Sequence, residues 1–123
     1  MRLQHVAATF PPGREPDLRA FYAGVLGLVE EPVPEAVADA GWIWFLTDDP
    51  GIELHFIPDE RPPDPTRSHH FCLQVDDIED AKARLAWAGH EPAPAGREIP
   101  GRLRCFVRDP LGNLVELVEI VAP

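Results

Sequence analysis

The chain has 123 residues, is 45% hydrophobic, and carries a formal net charge of −10 at pH 7. This length fits one domain or two small repeated units, and the negative charge excludes nucleic acid as a partner because a phosphate backbone would be repelled. No apolar run approaches the roughly 18 residues of a membrane span, and the N-terminal residues lack the apolar core of a signal peptide. Cys72 and Cys105 are the two cysteines, so we expect free thiols in a cytoplasmic protein.

The first half of the chain predicts one strand, one helix and three further strands. Residues 3–10 alternate between apolar and polar positions, which favours a strand. A helix is expected to begin near Pro16, because proline suits the first turn, and Gly27 is a plausible C-terminal cap. The remaining segments are a short strand over 29–33, a loop or irregular turn over 34–41, and strands over 42–47 and 52–57.

Residues 58–68 contain four prolines and indicate a stiff, exposed connector. This is the only internal boundary that the composition suggests. We therefore predict one domain over 1–123, made of a first module over 1–57 and a second module over 69–123.

The second half repeats the order of the first. We predict a strand over 70–75, a helix after Asp77 that ends at Gly89, and a short strand over 91–94. The last two strands, over 103–108 and 114–121, flank the sequence DPLGN, whose proline, glycine and asparagine are typical of a turn.

Each half opens with a histidine on its first strand and closes with a glutamate on its last strand. His5 precedes Glu53 by 48 residues, and His70 precedes Glu116 by 46 residues. In all four strands these side chains lie opposite the apolar face, which a helix must cover. The polar faces can then curve towards one another. Imidazole and carboxylate ligands favour a divalent metal ion, and four protein ligands leave open positions, as in catalytic metal sites.

Several short motifs carry a resemblance to a known superfamily. They are LQHVA from Leu3, FYAGVLGL from Phe21, GIELHF from Gly51, HHFCLQVDD from His69 and DPLGNLVEL from Asp109. On these motifs the chain resembles the vicinal oxygen chelate superfamily, which includes glyoxalase I, fosfomycin-resistance enzymes, extradiol dioxygenases and bleomycin-binding proteins. The resemblance implies an α+β fold in which two βαβββ modules form a cupped, mostly antiparallel sheet around a metal-binding cleft, with the helices outside. It also implies a homodimer.

The set of potential ligands resembles that of bacterial glyoxalase I. The resemblance implies that a divalent metal (Ni, Co, Zn, Mn or Fe) is bound by His5, Glu53, His70 and Glu116. Two vicinal oxygens of a small-molecule substrate would chelate this metal, and Glu116 or Glu53 would move an α-proton through an enediolate. The expected activity is therefore that of a metal-dependent lyase or isomerase.

Two departures from glyoxalase I concern its glutathione substrate. The positions at which that family carries glutathione-binding arginine and asparagine are Thr9 and Ile57 in this chain. We therefore predict an activity that does not depend on glutathione. Two alternatives stay open: a metal-free drug-binding protein of the bleomycin-resistance type, and an Fe(II) extradiol-type dioxygenase that uses His5, His70 and Glu116.

Further residues are predicted to line the substrate pocket. His55 shares the strand face of Glu53, so it either lines the pocket or replaces Glu53 as a ligand. Cys72 and Thr9 face the cleft by the same alternation, and Cys72 is also interpreted as a small packing residue because no base accompanies it. Trp44 either contacts the pocket or a dimer interface, or packs in the core. The nearby arginines, Arg102 and Arg104, are interpreted either as holders of an acidic substrate group or as solvated charges.

Overall fold

A computed structural model of the chain describes residues 1–122. The residues cluster into two compact units, Met1–Pro63 and Asp64–Pro123, and the division falls within the proline-rich segment. Each unit carries one four-stranded sheet with the βαβββ order, which confirms the predicted α+β architecture. Pro123, at the end of the predicted second module, lies outside the described residues. Within residues 1–122, no helix is long and apolar enough to cross a membrane.

The first unit forms a sheet in the order β1-β4-β3-β2. The edge strand β1 runs parallel to β4 and places His5 opposite Glu53, whereas β3 pairs antiparallel with both β4 and β2. The strands are β1 (His5–Phe10), β2 (Val29–Glu31), β3 (Ile43–Leu46) and β4 (Glu53–Pro58). Pro58, predicted as the first connector residue, is therefore the last residue of β4, where it pairs with Phe10.

The helix of this unit differs from a regular α-helix. It begins as α1 (Glu15–Arg19) and continues as a π-helical segment over Ala20–Val25. The amide of Leu26 donates to the carbonyl of Phe21 at 3.0 Å, so the wider turn replaces the usual spacing of four residues. Gly27, with φ of 77°, follows the helix as predicted.

The segment over 34–41, expected as a loop or irregular turn, contains a 3₁₀ helix at Glu35–Ala40 that is interrupted at Val37. Sequence reasoning missed this element because short 3₁₀ segments carry no apolar periodicity.

Aromatic packing holds the helix of the first unit against its sheet. Phe21 and Tyr22 are buried, and the Tyr22 ring lies 4.6 Å from Phe56 and 5.8 Å from Phe45, centroid to centroid. Because successive strand residues point to opposite faces, this core leaves the face of His5 and Glu53 free of the helix.

The second unit forms a sheet in the order β5-β8-β7-β6, with β5 parallel to β8. Its elements are β5 (His70–Gln74), α2 (Ile78–Trp87), β6 (Ala93–Pro94), β7 (Arg102–Arg108) and β8 (Leu114–Ile120). The Asp77 side chain caps α2 by accepting a hydrogen bond from the Asp80 amide at 3.0 Å. Helix α2 buries Ile78, Ala81 and Leu85 and packs against β7 and β8, on the face opposite Glu116.

The DPLGN turn that joins β7 and β8 is held by a buried carboxylate. Asp109 is 4% exposed, and its Oδ1 accepts hydrogen bonds from the amides of Leu111 and Asn113, both at 2.8 Å. Gly112 has φ of 99°, whereas Asn113 keeps a negative φ and donates its side-chain amide to Asp109 Oδ2 at 3.0 Å. The turn thus fixes the start of β8, the strand that carries Glu116.

Candidate functional site

In the first unit, Glu53 lies at the centre of a hydrogen-bonded group. Its Oε1 accepts a hydrogen bond from Gln4 Nε2 at 2.8 Å and lies 3.2 Å from His55 Nε2. Gln4 in turn accepts at Oε1 from Nδ1 of His5 at 2.7 Å. Gln4 therefore joins the histidine and the glutamate of this unit, and sequence reasoning missed it because it belongs to no ligand pattern.

A second carboxyl group, that of Glu31, adjoins Glu53. In its protonated form Glu31 donates a hydrogen bond to Glu53, and this bond, followed by burial, raises the pKa of Glu31. The same bond, followed by the one from Gln4, lowers the pKa of Glu53 to about 2. Glu31 Oε1 is buried and has no hydrogen-bond partner within residues 1–122. The two carboxyl groups therefore hold one proton between them more readily than none.

Stacked rings cover the sheet beside these carboxyls. The His55 ring lies 4.1 Å from the Trp44 ring and 4.1 Å from the His5 ring, with interplanar angles of 5° and 14°. Trp42 stacks on Trp44 at 6.2 Å. Trp44 is thus part of the face that carries His5 and Glu53, and not of the core. The His55 ring is 8% exposed and is held between the rings of Trp44 and His5. Thr9 lies on the same face, opposite Ile57 in the register.

In the second unit, Glu116 is buried and engaged at both oxygens. Its Oε2 lies 3.0 Å from Nε2 of His70, and its Oε1 accepts a hydrogen bond from Arg104 at 2.8 Å. Burial raises the pKa of Glu116, but the hydrogen bonds from Arg104 and His70 outweigh it, so the pKa lies below its ordinary value. Arg104, which was also interpreted from the sequence as a solvated charge, is a half-buried ion-pair partner of Glu116, with 13% of its side chain exposed.

Both strand-opening histidines use Nδ1 in the same way. His70 Nδ1 donates to the Ser68 carbonyl at 2.8 Å, as His5 Nδ1 donates to Gln4 Oε1. A histidine held through Nδ1–H presents the lone pair of Nε2, which is the arrangement found in metal-binding histidines. In that tautomer, His70 Nε2 and Glu116 Oε2 are two lone-pair donors at contact distance, and such a pair requires a cation, either a proton or a metal ion.

Cys72 adjoins this pair on the same face. It lies opposite Glu116 in the register of β5 and β8. Cys72 is an exposed residue, but desolvation of its thiol, followed by the charge and hydrogen bond of Glu116, raises the pKa of Cys72 to about 12. The thiol is therefore not activated as a nucleophile.

A cavity of about 340 Å³ opens beside β7 in the second unit. Phe106 forms part of its wall, and the same ring meets His70 edge-on, with 5.3 Å between centroids. Leu114 and Ala93 add apolar surface, whereas Arg108 and Glu91 add charge. This volume is at the lower end of the range for small-molecule pockets.

The predicted ligands therefore fall into one imidazole–carboxylate pair in each unit. His5 lies opposite Glu53 in the first unit, and His70 contacts Glu116 in the second. In the part of the chain that the structure describes, no group of three or more histidine, cysteine, aspartate or glutamate side chains is arranged to hold a metal ion.

The fold and these paired donors are those of a vicinal oxygen chelate protein. The sequence matches the Glyoxalase/Bleomycin resistance protein/Dioxygenase superfamily over residues 2–117, and the chain belongs to this family. No curated protein sequence matches the chain.

Solved structures of similar proteins cover almost the whole chain. A glyoxalase family protein from Bacillus anthracis is 30% identical, with a TM-score of 0.86, over 98% of this chain and 95% of the other. The fosfomycin resistance protein FosX from Listeria monocytogenes is 16% identical, with a TM-score of 0.76, over 97% and 93% of the two chains. TnmS3, an antibiotic binding protein from Streptomyces sp. CB03234, is 20% identical, with a TM-score of 0.71, over 98% and 96%. The superfamily thus includes both enzymes and binding proteins.

Proposed function

We propose that the chain is a metal-dependent, glyoxalase-like lyase or isomerase that moves an α-proton of a small oxygenated substrate without glutathione. The observation that carries this proposal is the shared orientation of His5 and His70. Each donates its Nδ1–H to a carbonyl oxygen, at 2.7 and 2.8 Å, and so leaves the lone pair of Nε2 available to a ligand. A glutamate accompanies each histidine.

Imidazole nitrogens and carboxylate oxygens are donor types that suit a divalent metal of the nickel, cobalt, zinc, manganese or iron type. His5 and Glu53 would be the ligands from the first unit, and His70 and Glu116 those from the second. When bound, such a metal polarises a substrate carbonyl and so acidifies the neighbouring C–H bond.

The protein's own groups then have distinct roles. Glu116, with Arg104 on one oxygen and His70 on the other, is the proposed proton acceptor. Arg104 holds this carboxylate in one orientation, and Phe106 shields the His70 side of the pair. Glu53 is the alternative base because it lies opposite His5 in the register, although the hydrogen bonds from Glu31 and Gln4 lower its pKa to about 2 and so make it a weak proton acceptor.

Metal analysis of the purified protein, followed by proton exchange, tests this proposal. A panel of small α-hydroxycarbonyl compounds is incubated in D₂O with the metal-loaded protein, and loss of the α-proton signal is followed by NMR. We expect exchange that Glu116→Gln reduces at least about 100-fold, whereas Glu119→Gln, on the other face of β8, retains it. A protein that binds none of the five metals and catalyses no exchange would disprove the proposal.

A second function is favoured by the ring stack of the first unit. Trp42, Trp44 and His55 form a flat aromatic surface next to the carboxyl groups of Glu31 and Glu53. Such a surface suits a planar or cationic drug. Binding that quenches tryptophan fluorescence and is insensitive to chelators would favour this binding function over the enzyme.

A further inference from the structure

Strand β7 presents a row of arginines on the polar face of the second sheet. Its sequence, RLRCFVR, alternates so that Arg102, Arg104 and Arg108 share one face with Phe106. Their partners on β8 are Ile120, Val118 and Leu114, none of which is acidic. We call Arg102, Arg104 and Arg108 the arginine row.

The charge of this row is only partly neutralised. Of the residues on this face of β5 and β8, Glu116 is the only acid, and outside these strands the charge of Arg108 also acts on Asp64. This local excess of positive charge occurs in a chain whose net charge is −10. Because like-charged side chains repel, this cluster of cations on one face is unfavourable by itself, and binding of an anion would offset the repulsion.

The three arginines differ in their contacts. Arg104 is held by Glu116 Oε1 and the Arg97 carbonyl. Arg108 donates to the carbonyls of Gly112 and Pro65, each at 3.0 Å, and forms no ion pair with residues 1–122. Arg102 is exposed, and no ion pair or side-chain hydrogen bond joins it to that same part of the chain. Arg102 is therefore the free cation closest in sequence to the Arg104–Glu116 pair.

We infer that Arg102 and Arg104 bind the anionic group of a small organic acid, so that the substrate class is carboxylate- or phosphate-bearing. A guanidinium offers a planar fork of donors that matches these oxyanions, and Arg104 is already oriented by its contacts. The His70–Glu116 pair lies on the same face, since Phe106 opposite Glu116 is the next residue of this face after Arg104. The inference rests on the proposed function only in treating the bound acid as the substrate.

The test compares charged and uncharged ligands with the full chain. Lactate is compared with lactamide, and dihydroxyacetone phosphate with dihydroxyacetone; each pair differs mainly in the anionic group. Binding is followed by the NMR signals of the arginine Nε–H groups and by calorimetry. We expect at least one anion to bind about tenfold more tightly than its neutral counterpart and to shift the signals of Arg102 and Arg104.

The main variant is Arg102→Gln, which alters an exposed side chain and leaves the Arg104–Glu116 pair intact. It should weaken binding of the anion about tenfold and leave binding of the neutral counterpart unchanged. Arg84→Gln on α2 is the matched control, because Arg84 is exposed and its ion pair within residues 1–122 is with Asp80, at 3.2 Å. Equal affinity for anion and neutral ligand, or equal effects of the Arg102 and Arg84 variants, would overturn the inference.

The outcome is independent of the enzyme assay. Anion binding at Arg102 by a protein that binds none of the five metals and catalyses no proton exchange would refute the proposed function and leave the binding site established. Exchange whose KM for the acid is unaffected by Arg102→Gln would refute the inference and leave the proposed function standing.

Discussion

Glu116 on β8 occupies the position in its unit that His55 occupies on β4. Two residues after the opening histidine, Ala7 lies opposite His55 and Cys72 lies opposite Glu116. The nearest counterpart of Glu53 is thus Leu114, which lies opposite His70. Both positions also face an aromatic residue on the next strand, Trp44 for His55 and Phe106 for Glu116. The two glutamates are therefore not equivalent, although each closes a similar sequence motif.

The Glu31–Glu53 pair predicts a pH-dependent stability. Since the pKa of Glu31 is raised, the folded chain loses stability as pH rises from about 4.5 through that pKa. Since the pKa of Glu53 is lowered, its contribution is present above about 4.5 and is lost as pH falls towards about 2. The Glu31–Glu53 pair is therefore expected to stabilise the folded chain most strongly near pH 4.5.

Glu31→Gln tests this directly, because the amide donates to Glu53 at every pH. At pH 7 we expect the variant to be about 1 kcal/mol more stable than the parent chain, and at pH 4 we expect this difference to shrink. Urea unfolding at the two pH values measures it. The exposed Glu35→Gln serves as control, and a variant that is less stable at pH 7 would contradict the shared proton.

Removal of Arg104 should destabilise the second unit. Arg104→Gln leaves Glu116 buried without its cation, which costs about 3 kcal/mol in comparable pairs. The double variant with Glu116→Gln should recover part of this loss, because no charge then remains buried. Arg84→Gln, at an exposed pair, should cost less than about 0.5 kcal/mol. Equal losses for the Arg104 and Arg84 variants in urea unfolding would show that the buried pair has no special role.

Cys72 should react slowly with iodoacetamide. With a pKa of about 12, its thiolate fraction at pH 8 is small, and we expect alkylation about 100-fold slower than for a free cysteine. Glu116→Gln removes the neighbouring charge and should accelerate the reaction about tenfold. Peptide mass spectrometry reports both cysteines, with buried Cys105 as the internal reference. Unchanged reactivity of Cys72 in the variant would show that Glu116 does not contribute to the raised pKa of Cys72.

The Asp109 turn should be required for the stability of the last hairpin. Asp109→Ala removes hydrogen bonds to the amides of Leu111 and Asn113 and is expected to cost about 3 kcal/mol. Asp48→Ala, in the exposed turn of the first unit, is the comparison and should be nearly neutral. The difference between the two free energies of unfolding is the measurement, and similar values would contradict a structural role of the buried carboxylate.

Alternation and turn residues were sufficient to predict the order of elements in both units. The strand of His70 and the hairpin around DPLGN appear within one or two residues of their expected bounds. The π-helical segment after Arg19 and the 3₁₀ helix at Glu35–Ala40 were not predictable, because neither is encoded by a simple apolar period.

By itself, the sequence determined which side chains share a sheet face, since strand alternation depends only on local backbone geometry. Alternation predicted that His5 and Glu53 lie on one sheet face and that His70 and Glu116 lie on another. Only the tertiary structure decided which of these groups touch, because contacts between distant strands depend on register and on side-chain reach. It joined Glu31 to Glu53 and Arg104 to Glu116, and it made His55 the positional counterpart of Glu116.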